Sequence, residues 1–171
     1  MALTGTSEVD EKSWWRSAGR LLRWLLGAFS LVGGLTWVLF TMRGPTAGVD
    51  LGVGVVLAAA GLVLLMPHRI RLPRRTTALA MAVSAVAGTA AGLLWSTERA
   101  CCQYVEMVDR GWPFTWMRRT ALADDPATAY QLAHSGPWSV DAVSAAVNLL
   151  VWAYLGMLLV VIGVLVRRAR S

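Results

Sequence analysis

The chain has 171 residues, enough for one ordinary domain, and 56% of them are hydrophobic. With a mean hydropathy of +0.54, this composition excludes an ordinary soluble protein and indicates a membrane protein. The net charge of +6 does not indicate a nucleic-acid-binding protein. Its basic residues form short clusters at the ends of apolar runs, where they set membrane topology, and they form no continuous basic face with stacking aromatics.

The N-terminal region is predicted to be a cytoplasmic tail followed by a basic approach to the membrane. Residues 1–13 are polar and without periodicity, so we expect no regular structure there. Residues 14–23 combine tryptophan and arginine and are expected to lie along the membrane surface. The first apolar run, Trp24–Met42, has 19 residues without a charge, about 28 Å of helix and enough to cross a bilayer. It is longer than the apolar part of a secretory signal, so we interpret it as a span.

Three further apolar runs predict an all-α, four-transmembrane-helix bundle. They are Val49–Met66, Thr76–Ser96 and about Val140–Val166. The predicted organisation is a cytoplasmic tail and approach (1–23), three spans with short connections (24–96), a long polar loop (97–139), and a fourth span with a basic tail (140–171).

The charge distribution predicts the orientation of these spans. If both termini and residues 67–75 lie on one side, that side has eleven basic and three acidic residues, a net charge of +8. The other side has five basic and seven acidic residues, a net charge of −2. Because basic residues accumulate on the cytoplasmic side, we expect a multi-pass protein of the bacterial plasma membrane with both termini in the cytoplasm. His68, among arginines, is interpreted as a headgroup contact.

The third run carries small residues on one helical face. They recur every four residues and are Ala80, Ser84, Gly88 and Gly92. Such a face lets another helix approach closely, and packing drives helix association in lipid. The partner is either another helix of the same bundle, or a second copy or another membrane protein.

The fourth run begins with a polar stripe. Asp141, Ser144 and Asn148 have the spacing i, i+3, i+7 and so share one face of a helix. Polar groups at this depth are costly unless they face protein or water. Either Asp141 is interfacial and Asn148 makes one hydrogen bond between helices, or the three residues line a polar pocket that opens towards the long loop.

The long loop is predicted to be partly helical, because a structureless loop of this length is uncommon in a compact protein. We expect Glu98–Arg110 to extend the third span as a helix. The residues that give this segment its helical spacing are Cys101, Tyr104, Val105 and Val108. A second, short helix is indicated by Asp125 as N-cap, Pro126 at the first helical position and Gly136 at the end.

An aromatic and basic segment lies between these two predicted helices. Its candidate interaction residues are Arg110, Trp112, Phe114, Trp116, Arg118 and Arg119. This composition favours a segment that rests on the outer membrane surface or covers the bundle as a lid.

The adjacent cysteines, Cys101 and Cys102, are the candidate redox residues. Adjacent Cα atoms are about 3.8 Å apart, and ordinary disulfides need about 4.4–6.8 Å, so a bond between the two would be strained. Four interpretations stay open: reduced packing residues, disulfides to another chain, a redox-active vicinal pair, and a metal or haem contact together with His134. The last lacks the four ligands that zinc requires, and we expect no metal or cofactor.

The Cys-Cys pair followed by Arg-Gly-Trp-Pro-Phe-x-Trp resembles small four-span membrane proteins of high-GC bacteria. The resemblance covers residues 97–119 and implies no activity. The chain has no phosphate-binding loop, nucleophile elbow or zinc-protease motif. We therefore expect an accessory protein rather than an enzyme, and we expect its aromatic loop to contact lipid, another membrane protein or a second copy. The alternatives are a thiol–disulfide protein and an oligomeric carrier or channel for small solutes.

Overall fold

The structure, a computed structural model, describes residues 6–41, 47–66, 73–101 and 105–170. It is mostly helical and also contains a small antiparallel sheet. The elements are α1 (Thr6–Thr41), α2 (Ala47–Leu65), α3 (Arg74–Gly92), β1 (Ser96–Cys101), β2 (Val105–Arg110), β3 (Met117–Leu122), α4 (Pro126–Ser135), β4 (Ser139–Val140) and α5 (Ala142–Arg170). The chain divides into two compact units, Met1–Arg71 and Leu72–Ser171.

In the first unit, α1 and α2 form an antiparallel pair that is closest at glycines. A Cβ on Gly34 would lie 2.5 Å from the backbone nitrogen of Ala58. A Cβ on Gly61 would lie 2.5 Å from the backbone nitrogen of Leu31. Because neither position has room for a side chain, the two helix backbones approach each other directly, as they do in membrane helix pairs.

Helix α1 begins much earlier than the sequence predicts. Residues 6–13, expected to lack regular structure, belong to the same helix as the basic approach and the first apolar run. Arg23, further along α1, donates from Nε to the Leu64 carbonyl at 3.1 Å. This carbonyl belongs to the last turn of α2, where backbone acceptors have no partner within the helix.

In the second unit, α3 packs antiparallel to α5 through its small residues. A Cβ on Gly88 would overlap the Trp152 ring, and a Cβ on Gly156 would overlap the Ser84 hydroxyl. Ser84 Oγ also donates to the Trp152 carbonyl at 2.7 Å, a bond between helices that satisfies a hydroxyl within an apolar pair. As the numbering falls along α3 it rises along α5, which makes the pair antiparallel.

The predicted helix over Glu98–Arg110 is wrong. The segment forms a β-hairpin in which β1 and β2 pair from Ser96 opposite Arg110 to Cys101 opposite Val105. The apolar residues behind the helical interpretation include Val105 and Val108, whose branched side chains fit a strand equally well. Strand β2 has partners on both sides, β1 and β3, and this pairing across the chain overrides the local periodicity. Helix α3 accordingly ends at Gly92, and the all-α prediction is corrected.

The sheet has the order β1-β2-β3-β4 with every neighbouring pair antiparallel. Helix α4 packs on the central strands β2 and β3, and its Ala129 and Ala133 are buried, as is Val108 of β2. We call residues 96–140, which contain β1–β4 and α4, the sheet domain.

Helix α4 confirms the second helix predicted in the long loop. Asp125 Oδ1 accepts the Thr128 backbone N–H at 2.9 Å, Pro126 occupies the first helical position, and Gly136 is the C-cap. Hydrogen bonds from the side chain and backbone of Thr128 lower the pKa of the exposed Asp125 carboxyl, because they stabilise its ionised form.

Three helical segments of the described ranges are long and apolar enough to cross a membrane: Ser17–Thr41, Gly48–Leu65 and Ala142–Arg170. These segments indicate a membrane-embedded protein. Helix α3 is not one of them, because it starts with two arginines and stops at Gly92, before the last apolar residues of the predicted third span. The location of the described spans in α1, α2 and α5 agrees with three of the four predicted runs.

Candidate functional site

The sheet domain has a near end beside the helices and a far end where β1 stops and β2 begins. Ser96 begins β1 shortly after α3 ends, and Val140 ends β4 just before α5 begins. Paired across the sheet from Ser96 are Arg110, Met117 and Val140, and we call this row of four residues the near row. At the far end, Cys101 is opposite Val105.

The segment Gly111–Trp116, which we call the aromatic loop, joins β2 to β3 at the near end. Gly111 has a φ of 125°, a conformation that a residue with a Cβ rarely adopts. Trp112 then lies against the end of α3, since a Cβ on Gly92 would be 2.6 Å from the Trp112 carbonyl oxygen. The Trp112 ring is tilted against that of Trp152 on α5, with 5.5 Å between centroids. The aromatic loop therefore covers the paired helices α3 and α5.

Asn148 of α5 holds the same loop through two hydrogen bonds. Its side chain is completely buried. Oδ1 accepts the Phe114 N–H at 3.1 Å, and Nδ2 donates to the Phe114 carbonyl at 2.7 Å. A buried amide is costly unless it is hydrogen-bonded, and Phe114 satisfies both of its polar atoms.

Asp141 and Ser144 serve a different purpose, at the start of α5. Asp141 Oδ1 accepts the N–H groups of Val143 at 2.9 Å and Ser144 at 3.2 Å, and Oδ2 accepts the Ser144 hydroxyl at 2.7 Å. The Ser144 bonds, and to a smaller extent Val143 and the charge of Arg118, lower the pKa of the Asp141 carboxyl. The three predicted pocket residues are thus divided between a helix cap and a clamp on the aromatic loop.

A groove of about 210 Å³ lies beside this cap. Its lining residues are Thr115, Trp116, Arg118, Ser139, Val140 and Asp141. Arg118 is ion-paired with the buried Asp109 on the neighbouring strand, with 2.8 Å between Nε and Oδ1. The positive charge of Arg118 therefore lies between two carboxylates, those of Asp109 and Asp141, and the groove has no net positive charge to attract an anion.

Arg110 and Arg119 lie on the opposite sheet face from Arg118. Arg119 is opposite Val108, which is two residues before Arg110 on the same strand. Because side chains alternate along a strand, Arg110 and Arg119 share one face and Arg118 points to the other. Their guanidinium carbons lie 5.1 and 4.0 Å from the centroid of the Trp138 ring, within the range of cation–π attraction. We call these three residues the arginine–tryptophan cluster. Trp138 was not among the sequence candidates. The sequence around Trp138 indicates a turn, because a glycine–proline pair precedes it, but nothing nearby in the sequence indicates its contact with the two arginines.

The remaining candidates do not form a metal centre in the described ranges. His134 donates from Nδ1 to the Tyr130 carbonyl at 2.9 Å, and its Nε2 is 3.4 Å from Glu98 Oε1. No group of three or more His, Cys, Asp or Glu that could hold a metal occurs among the described residues. Cys101 ends β1 at the far end of the sheet; Cys102, like His68, lies outside the described residues.

No family model, curated protein or solved structure matches this chain.

Proposed function

We propose that the protein crosses the bacterial plasma membrane four times, with both termini in the cytoplasm and the sheet domain outside. Helix α3 is the additional span: its 19 residues extend about 28 Å, and it packs along α5. The antiparallel pairing puts the arginines that begin α3 and those that end α5 at one end of the pair, opposite the sheet domain. These are Arg74, Arg75, Arg167, Arg168 and Arg170. Basic residues favour the cytoplasmic side.

On this membrane placement, the protein acts as an accessory or interaction protein whose sheet domain contacts lipid or another membrane protein. The observation that carries this function is the attachment of the domain. The aromatic loop fixes it to α5 through the Trp112–Trp152 contact and the Asn148 clamp, and Trp112 lies against the end of α3 at Gly92. A domain fixed in this way presents a constant surface at the membrane, as recognition requires.

Photo-crosslinking in intact cells tests this function. A photoreactive residue at Leu122 or Tyr130, whose exposures are 72% and 49%, should give crosslinked products of discrete mass. The matched control is Ala133, on the same helix as Tyr130 but only 1% exposed, which should give none. If the exposed positions also give no discrete product, the sheet domain is not a contact surface.

The thiol–disulfide function is a second candidate, favoured by the location of Cys101 at the far end of the sheet rather than in a packed helical stripe. A vicinal disulfide would be strained and easily reduced. The proposal requires that both thiols react with an impermeant maleimide in intact cells after mild reduction and resist it after oxidation. Unchanged reactivity in the two states would eliminate it. The carrier or channel interpretation stays a prediction; the described contacts of Asp141 and Ser144 form a helix cap, and those of Asn148 form a clamp on the aromatic loop.

A further inference from the structure

The arginine–tryptophan cluster has hydrogen-bond donors that the described part of the chain does not satisfy. Arg119 Nη1 donates to the His134 carbonyl at 2.5 Å, but Arg119 Nε is buried and has no acceptor there. The guanidinium of Arg110 contacts the Trp138 ring and has no hydrogen-bond or carboxylate partner among the described residues. The exposed N–H groups of Arg110 can therefore donate to an external acceptor, and Arg119 adds its positive charge beside them.

The charge of the cluster specifies an anionic acceptor. Of the two glutamates on the same sheet face, Glu98 lies beside His134 and Glu106 is opposite Ala121, so neither forms an ion pair with the arginines. Arg118, by contrast, is neutralised by Asp109. A guanidinium presents several N–H groups in one plane, and phosphate oxygens accept two of them at once.

The position of the cluster specifies where that anion comes from. Arg110 belongs to the near row, and Arg119 is two residues beyond Met117 of the same row, a displacement of about 7 Å along the strand. Two exposed apolar side chains, Trp95 at the end of α3 and Val143 at the start of α5, lie where the proposed placement puts the membrane boundary. Tryptophan is enriched at the depth of lipid headgroups.

We propose that Arg110 and Arg119, held against Trp138, bind the phosphate of a phospholipid headgroup in the outer leaflet. This site rests on the proposed placement of the sheet domain outside the membrane, and it assigns the lipid contact of that domain to one cluster. The Trp138 ring restrains both guanidiniums by cation–π attraction, so less side-chain freedom is lost when the phosphate binds.

The test is binding of phosphatidylglycerol with a pyrene-labelled chain to the full-length protein in mild detergent, measured by energy transfer from tryptophan. The matched ligand is a diacylglycerol with the same labelled chain and no phosphate. We expect the phosphate to improve affinity about tenfold, within the range for hydrogen bonds to charged groups. Arg110→Gln should abolish that difference without changing the affinity for diacylglycerol.

Arg99→Gln is the matched control variant. Arg99 is an exposed arginine of β1 on the other sheet face, and its replacement should leave phosphatidylglycerol binding unchanged. Arg119→Gln should behave as Arg110→Gln does, but it also removes the bond to the His134 carbonyl, so Arg110→Gln, at an exposed residue, decides the outcome. An equal loss in Arg99→Gln and Arg110→Gln would show general charge attraction and overturn the site.

Inorganic phosphate separates the two sources of this anion. At millimolar concentration it should not displace the labelled lipid; complete displacement would make free phosphate the ligand and overturn the assignment to a headgroup. The placement of the sheet domain is tested separately by labelling in sealed cells. The sheet domain could be labelled from outside while the protein shows no preference for the phosphate-bearing lipid. That combination would overturn this site and leave the proposed membrane topology unchanged.

Discussion

The side chain of Asn148 pairs with both backbone groups of Phe114, accepting from its N–H at 3.1 Å and donating to its carbonyl at 2.7 Å. The two residues are 34 positions apart, one in the aromatic loop and the other in α5. This pair joins a span to the sheet domain with complete hydrogen bonding, so the loop backbone can pack on a helix without leaving polar groups unpaired.

Replacing Asn148 with leucine should therefore destabilise the protein. Asn148→Leu keeps the side-chain volume similar but removes the two hydrogen bonds to the backbone of Phe114. The expected loss is about 1–3 kcal/mol of unfolding free energy, since a typical hydrogen bond contributes about 0.5–1.5 kcal/mol. Denaturant unfolding in mild detergent, followed by near-UV circular dichroism, measures it. Gln131→Leu, at an exposed amide of α4, is the control; equal stability of the two variants would contradict the clamp.

The packing of α3 on α5 predicts opposite effects for two glycines of the same helix. Gly156→Ala places a Cβ 2.6 Å from the Ala80 carbonyl oxygen as well as against Ser84, so the helices must separate, at a cost of about 1–3 kcal/mol. Gly163→Ala meets nothing within 4 Å and should stabilise α5 by about 0.5–1 kcal/mol, as alanine does in a helix. Thermal unfolding of both variants checks this, and a stable Gly156→Ala protein would show that the close approach is not required.

Membrane topology can be read from two engineered cysteines in a background without Cys101 and Cys102. With four spans, an impermeant maleimide added to sealed cells should label Thr128→Cys, in the sheet domain, and spare Ser171→Cys. If α3 did not cross the membrane, the remaining three spans would place the C-terminus outside and the sheet domain inside, and the labelling would be reversed. The reverse pattern would therefore eliminate α3 as a span.

The Asp141 cap makes the stability of α5 dependent on pH. The pKa of this carboxyl is lower in the folded protein than its ordinary value of 3.8, so the ionised cap stabilises the fold above that value. This contribution is lost as the pH falls through the folded-state pKa. Asp141→Asn should lower the melting temperature at pH 7 and lose less stability on acidification to pH 3. If the melting temperatures of the two proteins fell by the same amount between pH 7 and pH 3, the assignment of the cap would be contradicted.

The sequence predicted the elements that depend on nearby residues. An uncharged apolar run long enough to cross a bilayer is a local property, and the runs in α1, α2 and α5 form helices of that kind. Helix α4 was predictable for the same reason, because Asp125, Pro126 and Gly136 mark the start and end of this ten-residue helix from within or directly beside it. The aromatic and arginine residues of the candidate loop do not share one face of the sheet, since Arg118 faces away from Arg110 and Arg119.

Only the tertiary structure decided the hairpin, the clamp and the arginine–tryptophan cluster. The segment Glu98–Arg110 has apolar spacing compatible with a helix or a strand, and the choice depends on β3 and α4, which lie further along the chain and supply the partners for β2. The use of Asn148 likewise depends on Phe114, and that of Arg110 on Trp138. Interactions between residues so far apart are set by which strands pair and which faces become buried, and a local pattern of residues does not contain that information.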